Sequence, residues 1–136
     1  MAILLVIGCG GGSDNDSHTP SGPGTAPGIS NLQYSPASVN QGEGGGAVSL
    51  DGAFDFIDPD GDVDFCRFSG RRCGTGPVQH NDFDIPGVDG LTIGTVWFVS
   101  YIDTTCPPGS YQGIISVFDK QGNQSNELSA TLTINP

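Results

Sequence analysis

Four aspartates, Asp58, Asp60, Asp62 and Asp64, alternate within the short run Asp58-Pro59-Asp60-Gly61-Asp62-Val63-Asp64, and Asp51 and Asp55 precede them. So many like charges lower stability unless they are solvated, paired with arginine or bound to a cation. A hard cation suits carboxylates, and calcium takes about six to eight oxygens from carboxylates, carbonyls and water. The spacing departs from an EF-hand, with glycine at the fourth position and no distal glutamate. A calcium site here would borrow ligands from Asp82, Asp84, Asp89 or Asp119. The alternative is a solvated turn with nothing bound: Asp58 accepts from nearby backbone N–H groups, Pro59 presets φ, and Gly61 supplies the positive φ that closes a hairpin-like corner.

Other chemistry finds less support. Three cysteines, Cys66, Cys73 and Cys106, with the single downstream histidine His80 lack the paired spacing of a zinc ribbon. No serine or cysteine near His80 in the sequence is placed by periodicity to make a nucleophile, so a loop role is expected. The aspartates read as exposed, whereas glycoside hydrolysis needs one carboxyl held protonated in an apolar pocket. The chain is therefore not expected to be an enzyme.

The elements around the aspartates are strands. Val48, Leu50, Gly52, Phe54 and Phe56 share one face of a period-two run, and Val63 to Phe68 starts the next strand. Downstream, Leu91, Ile93, Thr95, Trp97, Val99 and Tyr101 share a face of a long strand whose Trp97 is expected in the core. Ser110 to Asp119 and Leu128 to Ile134, joined at Lys120-Gln121-Gly122-Asn123, predict a hairpin. Val78, Phe83 and Ile85 mark a short strand. Ile29, Leu32 and Tyr34 begin the domain, with a break at Ser35-Pro36. With 22 Gly and 10 Pro in 136 residues, and thirteen Asp against two Glu, the composition favours turn-rich all-β structure over helix. A formal charge of −11 argues against nucleic-acid partners.

Val6-Ile7-Gly8-Cys9 resembles the lipobox of bacterial lipoproteins, in which the leader is cut before a cysteine that becomes the acylated N-terminus. The resemblance implies a partial signal peptide over 1–8, its start lying inside a longer leader, and lipidation of Cys9. It also implies a lipid-anchored location in the bacterial cell envelope, at the outer membrane, periplasmic or surface-exposed. Residues 9–28, nearly free of apolar side chains, predict a disordered Gly/Ser/Asp linker with a root-mean-square span of about 25 Å.

Pro108-Gly109-Ser110-Tyr111 and Val117 to Asn126, with Phe54 to Asp62, resemble the closing strands and aspartate-rich turn of bacterial immunoglobulin-like and cadherin-like modules. The resemblance implies an immunoglobulin-like antiparallel β-sandwich of about seven strands over 29–136, with Tyr111 at the corner before the penultimate strand. In such a sandwich Cys66, Cys73 and Cys106 approach one pole and any of the three pairings is open. Export favours oxidation of two, with a lean to a bridge that includes Cys106. The third would stay free or bridge to a partner. The implied role is a binding or structural module, possible calcium included, whose partner is an unknown protein or glycan at the cell surface. A carbohydrate-binding or enzyme-accessory module is the alternative, marked by exposed aromatics among Tyr34, Tyr101 and Tyr111. A small hydrolase is the weaker alternative.

Overall fold

The computed structural model describes residues 24–136 in full and Val6–Gly10 as backbone. The expected leader (1–8), the lipidation at Cys9 and the tether up to residue 23 lie outside the described residues, the Val6–Gly10 backbone excepted. No described helix is long and apolar enough to cross a membrane.

The strands are β1 (Val6–Gly10), β2 (Gly28–Ser35), β3 (Ser38–Asn40), β4 (Ala47–Ile57), β5 (Val63–Gly70), β6 (Gln79–Asp84), β7 (Ile93–Asp103), β8 (Gly109–Asp119) and β9 (Leu128–Asn135). They form one sheet in the order β1-β7-β4-β2 and a second in the order β3-β9-β8-β5-β6. Every pairing is antiparallel except β3 with β9. This is the immunoglobulin-like sandwich expected from the resemblance. The first strand of the domain is split between the two sheets, changing sides at the cis Ser35–Pro36 bond. The folded chain also reaches back beyond Ile29: Pro27 is buried and the Thr25 N–H donates to the Asp60 carboxylate.

The core comes from the alternating inward residues of both sheets. Leu50, Phe54 and Phe56 of β4 are buried as their period predicts, and full burial of such a side chain is worth about 1.5–3 kcal/mol. Phe98 of β7 meets Phe68 of β5 edge-on across the layers, with centroids 5.1 Å apart. It fits because its β4 neighbour is Gly52, where a Cβ would sit 2.1 Å from the Phe98 ring.

Two expectations change. The run Asp58 to Asp62 does not close a hairpin: β4 and β5 lie in different sheets, so the turn carries the chain across the sandwich. Period fixes which way a side chain points and leaves the partner strand open. The inward face of β7 is Val96, Phe98, Ser100 and Ile102, so Trp97 (45 % exposed) and Tyr101 (39 %) point outward. Both faces of β7 are apolar, and its register with β4, Phe54 opposite Val96, decides which is buried.

Candidate functional site

Two corners at one pole of the sandwich are built alike. Asp58 follows the last residue of β4 and is fully buried; its side chain accepts from the backbone N–H of Asp60 (3.3 Å) and Asp62 (2.9 Å), and its carbonyl from Gly61 (3.0 Å). Asp119 ends β8, 2 % exposed; its side chain accepts from the backbone N–H of Gln121 (2.9 Å) and Asn123 (2.8 Å), and its carbonyl from Gly122 (3.0 Å). Gly61 and Gly122 hold φ of 67° and 86° at the same place in each corner, a left-handed conformation that favours glycine. Both sequences read Asp-x-x-Gly followed by a residue with a short polar side chain.

The corners differ at that last residue. In the second, Asn123 Nδ2 donates to Asp119 Oδ2 at 2.8 Å, so the aspartate receives a side-chain donor as well. In the first, the equivalent residue is Asp62, which has no proton to give when ionised. Among the described residues, Asp62 Oδ1 is buried without a hydrogen-bond partner, while Oδ2 receives only a 3.5 Å contact from Gln121 Nε2. Burial first, and then the Asp62 charge, push the Asp58 carboxyl above the usual carboxylate range, against the hydrogen bonds from Asp62 and Asp60. Carboxylate oxygens of Asp58, Asp60 and Asp62 lie within 4.8 Å of one another.

Three of the four predicted metal-ligating residues, Asp58, Asp60 and Asp62, are thus brought together. Asp64 is not among them; it is exposed on β5. Of the residues expected to lend ligands, Asp89 is taken by Lys120 (2.6 Å) and Asp82 by Arg67, while Asp84 lies on β6 and Asp119 closes its own corner. The set suits a hard, oxygen-seeking cation, and backbone carbonyls and water would have to complete it.

The opposite pole is closed covalently. Cys73 and Cys106 form a disulfide with Cα atoms 5.2 Å apart, joining the loop after β5 to the corner before β8. Tyr111 donates its hydroxyl to the Pro107 carbonyl, the corner contact expected of it. Cys66, the third cysteine, is fully buried in the middle of β5, and burial pushes its thiol up to about 12. It is the free thiol, the first of the two expected alternatives, and its burial keeps it out of reach of a partner. Strand parity sets this: Cys66 points inward opposite Val117, away from the loops.

His80 also differs from expectation. The β5–β6 register sets it opposite Ser69, with Ser69 Oγ and His80 Nδ1 2.6 Å apart. The pair sits on open strand surface. The nearby Asp82 is engaged by Arg67 through Nε (2.6 Å) and Nη2 (2.8 Å), which holds its carboxyl below the usual range.

The fold has relatives among solved structures. The chain is similar to the PKD domain of an M14-like peptidase from a Thermoplasmatales archaeon, with a TM-score of 0.55 at 16 % identity over 83 % of this chain and 99 % of that one. It is also similar to a variant of the SrpA adhesin from Streptococcus sanguinis, with a TM-score of 0.50 at 17 % identity over 81 % of this chain and 57 % of that one. At such identities the likeness shows the fold alone. No protein-family model matches the chain, and no curated protein sequence does.

Proposed function

We propose that this chain is an exported, lipid-anchored immunoglobulin-like module of the bacterial envelope, acting by binding and without catalysis, and that calcium stabilises its acidic pole. The observation that carries the reading is the Cys73–Cys106 disulfide in an immunoglobulin-like sandwich, since such bonds persist in oxidising compartments. Val6-Ile7-Gly8-Cys9 supplies the acylation signal and the polar stretch after it the spacer. The calcium component rests on the grouped oxygens of Asp58, Asp60 and Asp62 and on the unsatisfied Asp62 Oδ1. The Ser69–His80 contact stands on open surface beside a carboxylate already committed to Arg67, which gives no reason to assign a hydrolytic role.

The anchor is tested by metabolic labelling with an alkyne fatty acid in a bacterial host, expressing the chain with its upstream coding region. The expected result is a labelled, membrane-fractionating protein that becomes unlabelled and soluble in Cys9→Ser. An unlabelled, soluble parent protein would overturn it.

A carbohydrate-binding role is the second reading, favoured by one observation: Trp97 and Tyr101 are exposed on the same face of one strand.

A further inference from the structure

The two outer faces of the sandwich treat their aromatic side chains differently. On the second sheet, Phe65 and Phe118 stack with centroids 4.8 Å apart, and the Arg67 guanidinium lies 4.6 Å from the Phe118 centroid, so those rings are covered. On the first sheet, among the described residues, no ring or guanidinium is stacked on Trp97 or Tyr101. The two stand four residues apart on β7, about 13 Å by the rise of a strand.

Their neighbours across β4 are small: Ala53 is opposite Trp97 and Ser49 opposite Tyr101. Polar groups border the rings. Asp51 and Asp55 point out from β4, and the Asp55 carboxylate is held by Asn31 Nδ2 (3.0 Å) and Thr95 Oγ1 (2.7 Å), which keeps it below the usual range and ionised. The face therefore pairs flat π surfaces with a fixed hydrogen-bond acceptor.

We infer that the outward face of β7 and β4, centred on Trp97 and Tyr101 and bordered by Asp55, binds a neutral, β-linked polysaccharide. Pyranose rings with equatorial hydroxyls present a flat C–H face, slightly positive, that stacks on the negative face of an aromatic ring. Their hydroxyls donate to carboxylates. The separation of the two rings exceeds one sugar, so a chain is the ligand and a monosaccharide is not. Charge decides among other occupants. Asp51, Asp55 and Asp103 around the face, with −11 on the whole chain, repel anionic glycans and a second copy alike. This rests on the second functional reading, and β1, which carries Cys9, borders the face through its pairing with β7, Gly8 opposite Trp97.

The test uses the full chain carrying Cys9→Ser, so that acylation plays no part. Trp97 is the sole tryptophan, and its emission reports the face directly. Retention on insoluble cellulose, xylan and chitin, and fluorescence titration with their soluble oligosaccharides, are measured alongside glucose and the anionic polymer alginate. We expect at least one neutral polymer to be retained, with Trp97→Ala and Tyr101→Ala each weakening retention at least tenfold at unchanged Tm and Trp97→Phe restoring much of it. Binding of no neutral polymer, retention unaffected by Trp97→Ala, binding of alginate alone, or a stable dimer that buries Trp97 would each overturn the inference. None of these outcomes bears on fatty-acid labelling at Cys9.

Discussion

The Asp58 and Asp119 corners share a backbone and differ in one functional group. Each buries an aspartate that satisfies backbone donors two and four residues on, and each turns on a glycine with positive φ. At Asp119 the fourth residue is Asn123, whose amide returns a hydrogen bond. At Asp58 it is Asp62, whose carboxylate brings a second negative charge and leaves a buried oxygen unpaired. Among the described residues, the Asp119 corner is completed by its own amide, while at the Asp58 corner Asp62 Oδ1 has no hydrogen-bond partner. We propose that a cation at the Asp58 corner does the work that the Asn123 amide does at the Asp119 corner.

The comparison is broken most severely by removing the complete corner. Asp119→Ala strips a buried acceptor from two backbone N–H groups and from Asn123, and hydrogen bonds to charged groups are worth about 1.5–3 kcal/mol each. A loss of about 4 kcal/mol in urea unfolding is expected, with no restoration by calcium. A larger loss at Asp58→Ala would reverse the ranking, because that substitution also relieves repulsion from Asp62.

The disulfide pole provides the next largest effect. Replacing Cys73 and Cys106 together by serine opens a loop whose ends are 33 residues apart, for an expected loss of about 3.7 kcal/mol on the chain-entropy account. Calorimetry should show the lowered Tm with the calcium response intact, since the bond lies at the far end of the sandwich. Loss of that response would tie the two poles together.

Transplanting the charge sharpens the comparison. Asn123→Asp gives the second corner the character of the first: it removes the amide donor and places a carboxylate beside buried Asp119. About 2 kcal/mol should be lost, measured by thermal unfolding in chelator. An unchanged Tm would mean that the Asn123 amide is not what completes its corner.

The smallest effect is the control outside both corners. The hydrogen bond from Arg67, aided by its charge, keeps the Asp82 carboxyl below its usual range. The folded pKa therefore lies below the unfolded one. The contribution is complete above the unfolded value, near 3.8, and is lost as pH falls through the folded value. Asp82→Asn should lower Tm at pH 7 by only about 1–3 °C, because the pair is exposed, and the difference should vanish in acid. A difference that persists or grows in acid would contradict this sign.

How far the sequence could be read varies with the kind of information needed. The inward face of β4, the β8–β9 hairpin and Tyr111 at its corner all depend on local period, spacing or turn chemistry, and these were legible. The aspartate turn was legible as a turn, but its role as a crossing between sheets depends on which strands pair, which period does not encode. Period does not decide where Trp97 points, because Ile93, Trp97 and Val99 on one face and Val96, Phe98 and Ile102 on the other are both apolar; the β4 register chooses between them. Ser69 meets His80 only through cross-strand pairing over eleven residues of separation. The likeness of Asp58-Pro59-Asp60-Gly61-Asp62 to Asp119-Lys120-Gln121-Gly122-Asn123 was present in the sequence as a repeated spacing. Its meaning depends on both aspartates being buried, which the acidic composition concealed by suggesting exposure.

The most direct test of the account is thermal unfolding of the oxidised chain and of Asp62→Asn, each with millimolar calcium, with chelator, and at matched ionic strength. A ligand of the folded state raises the midpoint by mass action. The parent chain should show a calcium-dependent rise in Tm. Asp62→Asn, which gives the first corner the amide of the second, should be more stable than the parent in chelator and should not respond to calcium. A parent chain that ignores calcium, or an Asp62→Asn chain that loses stability in chelator or keeps the full calcium shift, would contradict the claim that the Asp58 corner is completed by a cation.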